Sequence, residues 1–306
     1  MGFNKLLNII KLSRLVIHST FLIFLLGTLF AITVGATFNV YKFYFGYIIV
    51  FTAILATSYS NNYYDIDTDY YSTGTPFSGG SKILIKHPEL LRLTKHLSIG
   101  LYILSILLGF IFIVVYSFPI TFFILVILGN LLGWFYTTPP FKLIYRGLGE
   151  ISTMIAVGFF IPGTGYFVIM GHIDSSFFAI AIPFLFYGLA ASLNIEIPDI
   201  NADRRANKKT IIIRKGPFFG FILTVLLLFL ATLSFFVIAQ QNLIPGYINF
   251  WLISLISTIP LSFSIKNLIK YKADQRFPTK LVISNVVSMF FLIIVINGYF
   301  LFMILS

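Results

Sequence analysis

Two short acidic motifs are the residues of this chain most suited to chemistry. Asn61, Asp65 and Asp69 are spaced four residues apart, so on a helix their side chains lie on one face. Asp199 and Asp203 repeat this spacing far downstream. Carboxylates held close together repel one another, and carboxylate oxygens are the ligands that Mg²⁺ prefers. The pattern predicts a fold that brings the two motifs face to face around metal.

The composition defines the class of molecule that must position these motifs. Of 306 residues, 58% are hydrophobic and only 10% are charged, with a mean hydropathy of +0.96. These values exclude an ordinary soluble domain. Several apolar runs reach the roughly 20 residues that a helix needs to cross a bilayer. We therefore expect an all-α, polytopic membrane protein with a single transmembrane domain over residues 1–306.

Hydropathy predicts nine membrane-spanning helices around a central cavity. Their expected ranges are 15–36, 40–60, 98–116, 118–138, 151–170, 175–194, 217–240, 248–265 and 281–305. With these ranges, 20 of the 21 basic residues fall on one side of the membrane, and Lys42 is the exception. The excess of Lys and Arg in cytoplasmic loops therefore places the N-terminus in the cytoplasm and the C-terminus outside the cell membrane.

The acidic residues share this asymmetry, because nine of the ten lie on the cytoplasmic side and Asp174 is the exception. Acidic residues contribute little to membrane orientation, so their clustering needs another reason. We expect a polar cavity that opens to the cytoplasm. The longest cytoplasmic loop, about residues 70–97, is expected to form a glycine turn and a short amphipathic helix that covers this cavity.

Other residue types exclude several kinds of site. The chain has no cysteine, which rules out disulfides and thiolate ligands. Its four histidines are scattered without paired ligand spacing, which argues against zinc. The net charge of +11 is explained by loop orientation, so we expect the lipid bilayer as a partner and no nucleic acid.

Several further segments, together with the two motifs, carry a resemblance to a known family. They are Leu12-Ser13-Arg14, Thr75 to Lys82, Tyr136-Thr137-Thr138-Pro139-Pro140, Gly147 to Glu150, and Glu196 to Thr210. In this combination the chain resembles the UbiA superfamily of intramembrane prenyltransferases, in particular its MenA-like branch. The resemblance covers most of the chain, and the paired motifs are specific only together.

The resemblance implies a prenyl transfer that depends on two Mg²⁺ ions. The implied metal ligands, of which the four aspartates are also the implied catalytic residues, are Asn61, Asp65, Asp69, Asp199 and Asp203. The residues implied to neutralise the diphosphate are Arg14, Lys82, Lys142 and Lys209. Further residues expected to contact substrate or support the ligands are Asn62, Tyr136, Asn194 and Glu196. The partners would be a polyprenyl diphosphate and an aromatic acceptor of the dihydroxynaphthoate type, as in quinone biosynthesis.

The chain departs from the family pattern at several positions. Asn61-Asn62 stands where the family often has Asn-Asp. The additional Asp67 alternates off the metal face, where it either supports the ligands or is solvated, and we favour the second. Tyr136 and Lys142 are six residues apart instead of four. Asn207 replaces a common glycine, and asparagine is the next-best residue for a left-handed turn.

Two alternatives remain. A terpene cyclase or a lipid-ether-forming prenyltransferase of the same fold would use the same metal site. A cation-coupled transporter belongs to a different class and would place its acidic residues near the middle of the bilayer. Here they cluster towards one face and in loops, which favours the prenyltransferase.

The metal-site hypothesis predicts that Asp65→Asn or Asp199→Asn abolishes Mg²⁺-dependent release of diphosphate, because either change removes a charged metal ligand. Expression and folding should be unaffected. Diphosphate release from a prenyl diphosphate checks this, and unchanged turnover in either variant contradicts a paired metal site.

Overall fold

The structure is a computed structural model that describes residues 3–13, 16–72, 81–244, 247–275 and 278–306. Helices dominate these residues, and no strand occurs among them. In lipid an isolated segment can satisfy its backbone hydrogen bonds only as a helix, which is why long apolar runs give this architecture. The prediction of an all-α, polytopic membrane protein is confirmed.

The helices are numbered α1 to α14 along the chain. Their ranges are Phe3–Leu12, Val16–Thr33, Val40–Tyr64, Ile66–Tyr71, Ile83–Lys86, Leu91–Tyr116, Ile120–Thr137, Gly149–Ile155, Ile161–Met170, Ser175–Glu196, Ile200–Arg205, Ile211–Gln241, Phe250–Ala273 and Pro278–Leu305. A π-helical turn, Ala156–Phe160, joins α8 to α9.

Within the described residues, eight helical stretches are long and apolar enough to cross a bilayer. They correspond to eight of the nine predicted segments. The first predicted segment, 15–36, corresponds to α2, and Thr20–Thr33 is its described apolar stretch. The count of nine membrane helices therefore stays a prediction.

Helix α6 begins at Leu91, seven residues before the predicted span. A small apolar cluster explains the difference, because Leu91, Leu93 and Leu97 pack against buried Leu84 and Leu90. Part of the expected amphipathic helix is thus the first two turns of α6, preceded by the single turn α5. The glycines of the expected turn, Gly74, Gly79 and Gly80, lie outside the described residues.

Asp174, the exception among the acidic residues, has a structural role. Its side chain accepts a hydrogen bond of 3.0 Å from the amide of Phe177 at the start of α10. The Tyr166 hydroxyl donates a second bond of 2.8 Å to the same carboxylate. Asp174 therefore caps a helix N-terminus, where a negative charge is favourable.

Helix α2 packs against α3, α9 and α14 and so connects early and late parts of the chain. Its contact with α9 depends on residues without side chains. A Cβ atom on Gly27 would collide with the carbonyl oxygen of Pro162, and one on Gly165 would collide with that of Phe24. The two backbones approach as closely as small residues allow in membrane helix pairs.

We predict that Gly165→Ala lowers stability by about 1–3 kcal/mol, since the added methyl group must push two packed backbones apart. Thermal unfolding in detergent measures the effect. Gly298→Ala is the matched control, because a Cβ there meets nothing within 4 Å. Equal melting temperatures for the two variants would contradict the proposed packing of α2 on α9.

Candidate active site

The first acidic motif lies where α3 gives way to α4. Asp65 interrupts the helix with φ −102° and ψ 17°. The amide of Asp65 still bonds the carbonyl of Asn61 at 2.9 Å, and that of Asp69 bonds the carbonyl of Asp65 at 3.0 Å. The predicted stacking of the three residues therefore survives the interruption. Asp65 and Asp69 are buried, whereas Asp67 is exposed as expected.

The second motif lies across the turn that joins α10 to α11, where Asp199 and Asp203 are both buried. Helix α11 packs against α4. The hydroxyl of Ser72, just after α4, donates a 3.0 Å hydrogen bond to Asp199 Oδ1. The tertiary structure thus brings the two motifs close together.

A lysine that the sequence did not single out joins the two motifs. Lys208 Nζ lies 3.1 Å from Asp65 Oδ2 and 3.0 Å from Asp203 Oδ1, and the residue is only 8% exposed. Burial by itself lowers the pKa of this ammonium, but Asp65 and Asp203 outweigh it and raise the pKa well above its ordinary value. The two carboxylates therefore favour the charged form of Lys208.

The backbone at the end of α11 directs Lys208 back towards the carboxylates. The amide of Lys208 bonds the carbonyl of Asp203 at 3.0 Å, and that of Asn207 bonds the carbonyl of Arg204 at 3.1 Å. This pair of bonds is the Schellman motif, and Asn207 adopts the left-handed conformation that it requires, with φ 59°. In the sequence, the asparagine at position 207 was the one signal that the chain changes direction after α11.

Tyr145 supports the same carboxylate from the loop before α8. Its hydroxyl donates a 2.7 Å hydrogen bond to Asp65 Oδ1. Burial and the charge of Asp65 raise the pKa of this hydroxyl, so it remains a donor. Lys142 Nζ lies 5.3 Å from the centre of the Tyr145 ring, which places this predicted cation beside the site.

An apolar cavity of about 280 Å³ begins at Asn61 and follows α3 through Thr57 and Ala53 to Val50. Tyr136 and Phe160 line it from other helices. Twelve residues of helix correspond to about 18 Å, so the cavity reaches deep into the apolar layer. The π-helical turn at Ala156–Phe160 contributes to its wall, and such turns are frequent at functional sites.

A second cavity, of about 640 Å³, is more polar. Its lining includes Asp67, Lys142, Tyr145 and Arg205. The guanidinium of Arg205 lies 5.2 Å from the centre of the Tyr71 ring, on the same wall. Since Tyr145 lines this cavity and also bonds Asp65, the carboxylates lie between an apolar and a polar space.

Other predicted site residues have different surroundings. Asn62 bonds the carbonyls of Leu12 and Ser58, and accepts a bond from Ser81. Asn194 belongs to a buried chain of hydrogen bonds that connects α12, α10, α14 and α13 through Thr224, Asn285 and Asn267. Both polar groups of each asparagine thus bond other groups of the protein.

Two further predicted cations, Lys82 and Lys209, form no ion pair with the carboxylates in the part of the chain that the structure describes. Lys82 is partly buried at the start of α5 and Lys209 is exposed. Arg14 lies outside the described residues, as do Thr75 to Gly80. Of the two adjacent lysines, Lys208 reaches the site, while the sequence pointed to Lys209.

Two buried glutamates lie beneath the second motif. Glu150 Oε1 accepts a hydrogen bond from the amide of Ile211, the first residue of α12. The carboxyl of Glu196 lies within hydrogen-bonding reach of Glu150, and Ser192 bonds Glu196 Oε1 at 3.3 Å. Glu150 thereby fixes the segment that carries Lys208 to the start of α8.

The donor set suits a magnesium ion whose coordination is completed by a substrate. Among the described residues, no three acidic or histidine side chains converge closely enough to hold a metal ion alone. However, Asp65 and Asp203 already enclose a cation, the Lys208 ammonium. Mg²⁺ commonly takes one or two carboxylates plus phosphate oxygens and water, so Asp65, Asp69, Asp199 and Asp203 fit this mode.

The fold and the site together define an integral membrane protein whose buried carboxylates lie between an apolar and a polar space. The model of the UbiA prenyltransferase family matches residues 20–294, and the chain belongs to this family. The family resemblance seen in the motifs is confirmed.

Relatives of known name match parts of the chain. The 1,4-dihydroxy-2-naphthoate octaprenyltransferase of Bacillus subtilis is 25% identical over 162 residues, which are 53% of this chain and 51% of that one. The Haemophilus influenzae protein of the same name is 35% identical over 103 residues, which are 33% and 32% of the two chains. The chain thus spans about half the length of the first relative and about a third of the length of the second.

The fold is similar to that of a UbiA homolog from Archaeoglobus fulgidus solved with GPP and Mg²⁺. The TM-score is 0.69 at 16% identity, and the match covers 97% of this chain and all of the other, 100%. At this identity the likeness shows a shared fold.

We predict that Glu150→Ala lowers stability by about 1–3 kcal/mol, because the buried amide of Ile211 loses its acceptor. Thermal unfolding in detergent measures the change. Glu150→Gln is the matched control, since its side-chain oxygen retains the acceptor, and it should melt close to the wild type. Equal loss in both variants would contradict this role for the hydrogen bond.

Proposed function

We propose that this protein transfers a polyprenyl group from an allylic diphosphate to an aromatic acceptor of the dihydroxynaphthoate type, in quinone biosynthesis of the menaquinone kind. One observation carries the proposal: the two acidic motifs meet around a cation next to a deep apolar cavity. The names of the two curated relatives support the acceptor class. The prenyl diphosphate and Mg²⁺ in the solved neighbour support the donor and the metal.

The residues have complementary roles in this reaction. Asn61, Asp65 and Asp69 on one side, and Asp199 and Asp203 on the other, would hold two Mg²⁺ ions. When bound, Mg²⁺ supplies Lewis acidity and neutralises the diphosphate as the carbon–oxygen bond breaks. Lys142 and Lys208 would add positive charge beside the diphosphate as its negative charge develops, and stabilisation of developing charge is commonly the largest catalytic contribution.

The apolar cavity would hold the first part of the prenyl chain and exclude water. Its volume is at the lower end of ligand pockets, so the rest of a long chain would extend into lipid. The leaving diphosphate takes the electron pair of the broken bond, and a ring carbon of the acceptor forms the new bond and loses a proton. The rings of Tyr136 and Phe160 would stabilise the allylic cation, each by about 0.5–2 kcal/mol.

The topology forms part of the proposal. It includes a single domain over 1–306 and a cavity that opens to the cytoplasm. The distribution of basic residues supports its nine helices and its cytoplasmic N-terminus. A water-soluble acceptor and the released diphosphate would then pass through the polar cavity lined by Lys142 and Arg205.

A product assay tests the function. Purified protein is incubated with Mg²⁺, prenyl diphosphates of several lengths, and either a dihydroxynaphthoate, another aromatic acceptor, or a glycerol phosphate lipid precursor. We expect prenylated dihydroxynaphthoate and one equivalent of diphosphate per product, with no product from Asp65→Asn. Asp65→Asn would lose a charged ligand of Mg²⁺, and diphosphate is a poor leaving group when Mg²⁺ does not neutralise it.

Other products would overturn the proposal in defined ways. A cyclised hydrocarbon formed without acceptor would identify a terpene cyclase. A prenylated glycerol phosphate would identify a lipid-ether-forming enzyme. Cation flux into proteoliposomes without release of diphosphate would identify a transporter.

A further inference from the structure

Lys208 occupies the position between carboxylates that a metal ion would take. Its ammonium contacts Asp65 of the first motif and Asp203 of the second, at 3.1 and 3.0 Å. Both carboxylates belong to the proposed metal site, on which this inference rests. One pair of oxygens cannot bind the ammonium and Mg²⁺ in the same place at the same time.

Several contacts hold Lys208 in a defined position. The residue is buried, its backbone is held by the hydrogen bond to Asp203, and the left-handed Asn207 sets its direction. On the opposite side of the ion pair, the Tyr145 hydroxyl orients Asp65 by bonding its other oxygen. The Tyr145 ring also lies 5.9 Å from the Lys208 ammonium.

Without a counter-ion, buried carboxylates from α3–α4 and α11 would repel each other and separate the two halves of the site. The lysine that prevents this is attached to the chain, so it is present whatever the metal concentration. The long, flexible side chain can swing out while its backbone stays fixed.

We propose that Lys208 is a built-in substitute cation, which keeps the two acidic motifs at their working separation before metal binds and which Mg²⁺ must displace. After displacement the ammonium remains tethered beside the site, where an anionic substrate is its natural partner. Lys208 is thus a positioning residue in the metal-free protein and a competitor of the metal.

The test compares Lys208→Met with the wild type, using full-length protein in detergent, stripped with EDTA and titrated with MgCl₂ alone. In EDTA the variant should melt at a lower temperature, because the carboxylates lose their counter-ion. Its apparent dissociation constant for Mg²⁺ should be about tenfold lower than that of the wild type, because no ammonium competes with the metal. A tenfold change corresponds to roughly 1.4 kcal/mol of binding free energy. Mg²⁺ should therefore stabilise the variant more than the wild type.

Lys215→Met is the matched control, since Lys215 is exposed seven residues further along the same segment. It should resemble the wild type in both measurements. If Lys208→Met does not fold in EDTA, Lys208→Gln replaces it, and recovery of folding by Mg²⁺ is the expected result. Failure of Mg²⁺ to restore folding would overturn the inference.

Two other outcomes would overturn it. Equal or weaker Mg²⁺ binding by Lys208→Met would show that Lys208 only supports the fold. Absence of Mg²⁺ binding in both proteins would show that the ammonium is not the obstacle. Prenyl transfer by the wild type in either case leaves the proposed function standing, whereas loss of Mg²⁺-dependent transfer would refute that function separately.

Discussion

The structure depends on holding several buried carboxylates together at one end of an apolar bundle. Two unit charges 4 Å apart repel by about 4 kcal/mol at an effective dielectric constant of 20. Lys208 offsets this repulsion between Asp65 and Asp203, and hydrogen bonds from Tyr145 and Ser72 satisfy further carboxylate oxygens. Each of these groups comes from a different segment, so the charge cluster determines how α4, α11 and the adjoining loops must meet.

The helices around the charge cluster are held in place by contacts between residues outside the site. Gly27 and Gly165 let α2 and α9 approach closely, and the chain of amides through Asn194 and Asn285 connects four helices in the other half. Glu150 connects the charge cluster to the helix packing, because it bonds the amide of Ile211 at the start of α12, three residues after Lys208. A polar group buried in lipid must find a partner within the protein, so these contacts also fix the register of the bundle.

The two cavities divide the site by polarity. The apolar cavity runs along α3 from Asn61, and the polar one is lined by Lys142 and Arg205. The proposed substrate, with a hydrocarbon tail and an anionic head, would match both spaces if its head lay near the carboxylates with Mg²⁺ between them. On this proposal, the acidic motifs lie at the end of the helices because that is where the anionic head of the substrate would be.

The sequence alone determined the membrane class, eight of the helical spans, the two acidic motifs and the family, because these depend on local periodicity and composition. Spacing by four residues was enough to align Asn61, Asp65 and Asp69, even across the break at Asp65. Only the tertiary structure decided that Lys208 contacts Asp65 and Asp203, and that Asn62 and Asn194 bond neighbouring helices. These outcomes depend on the direction of the chain after the left-handed Asn207 and on partners distant in sequence, which no local pattern specifies.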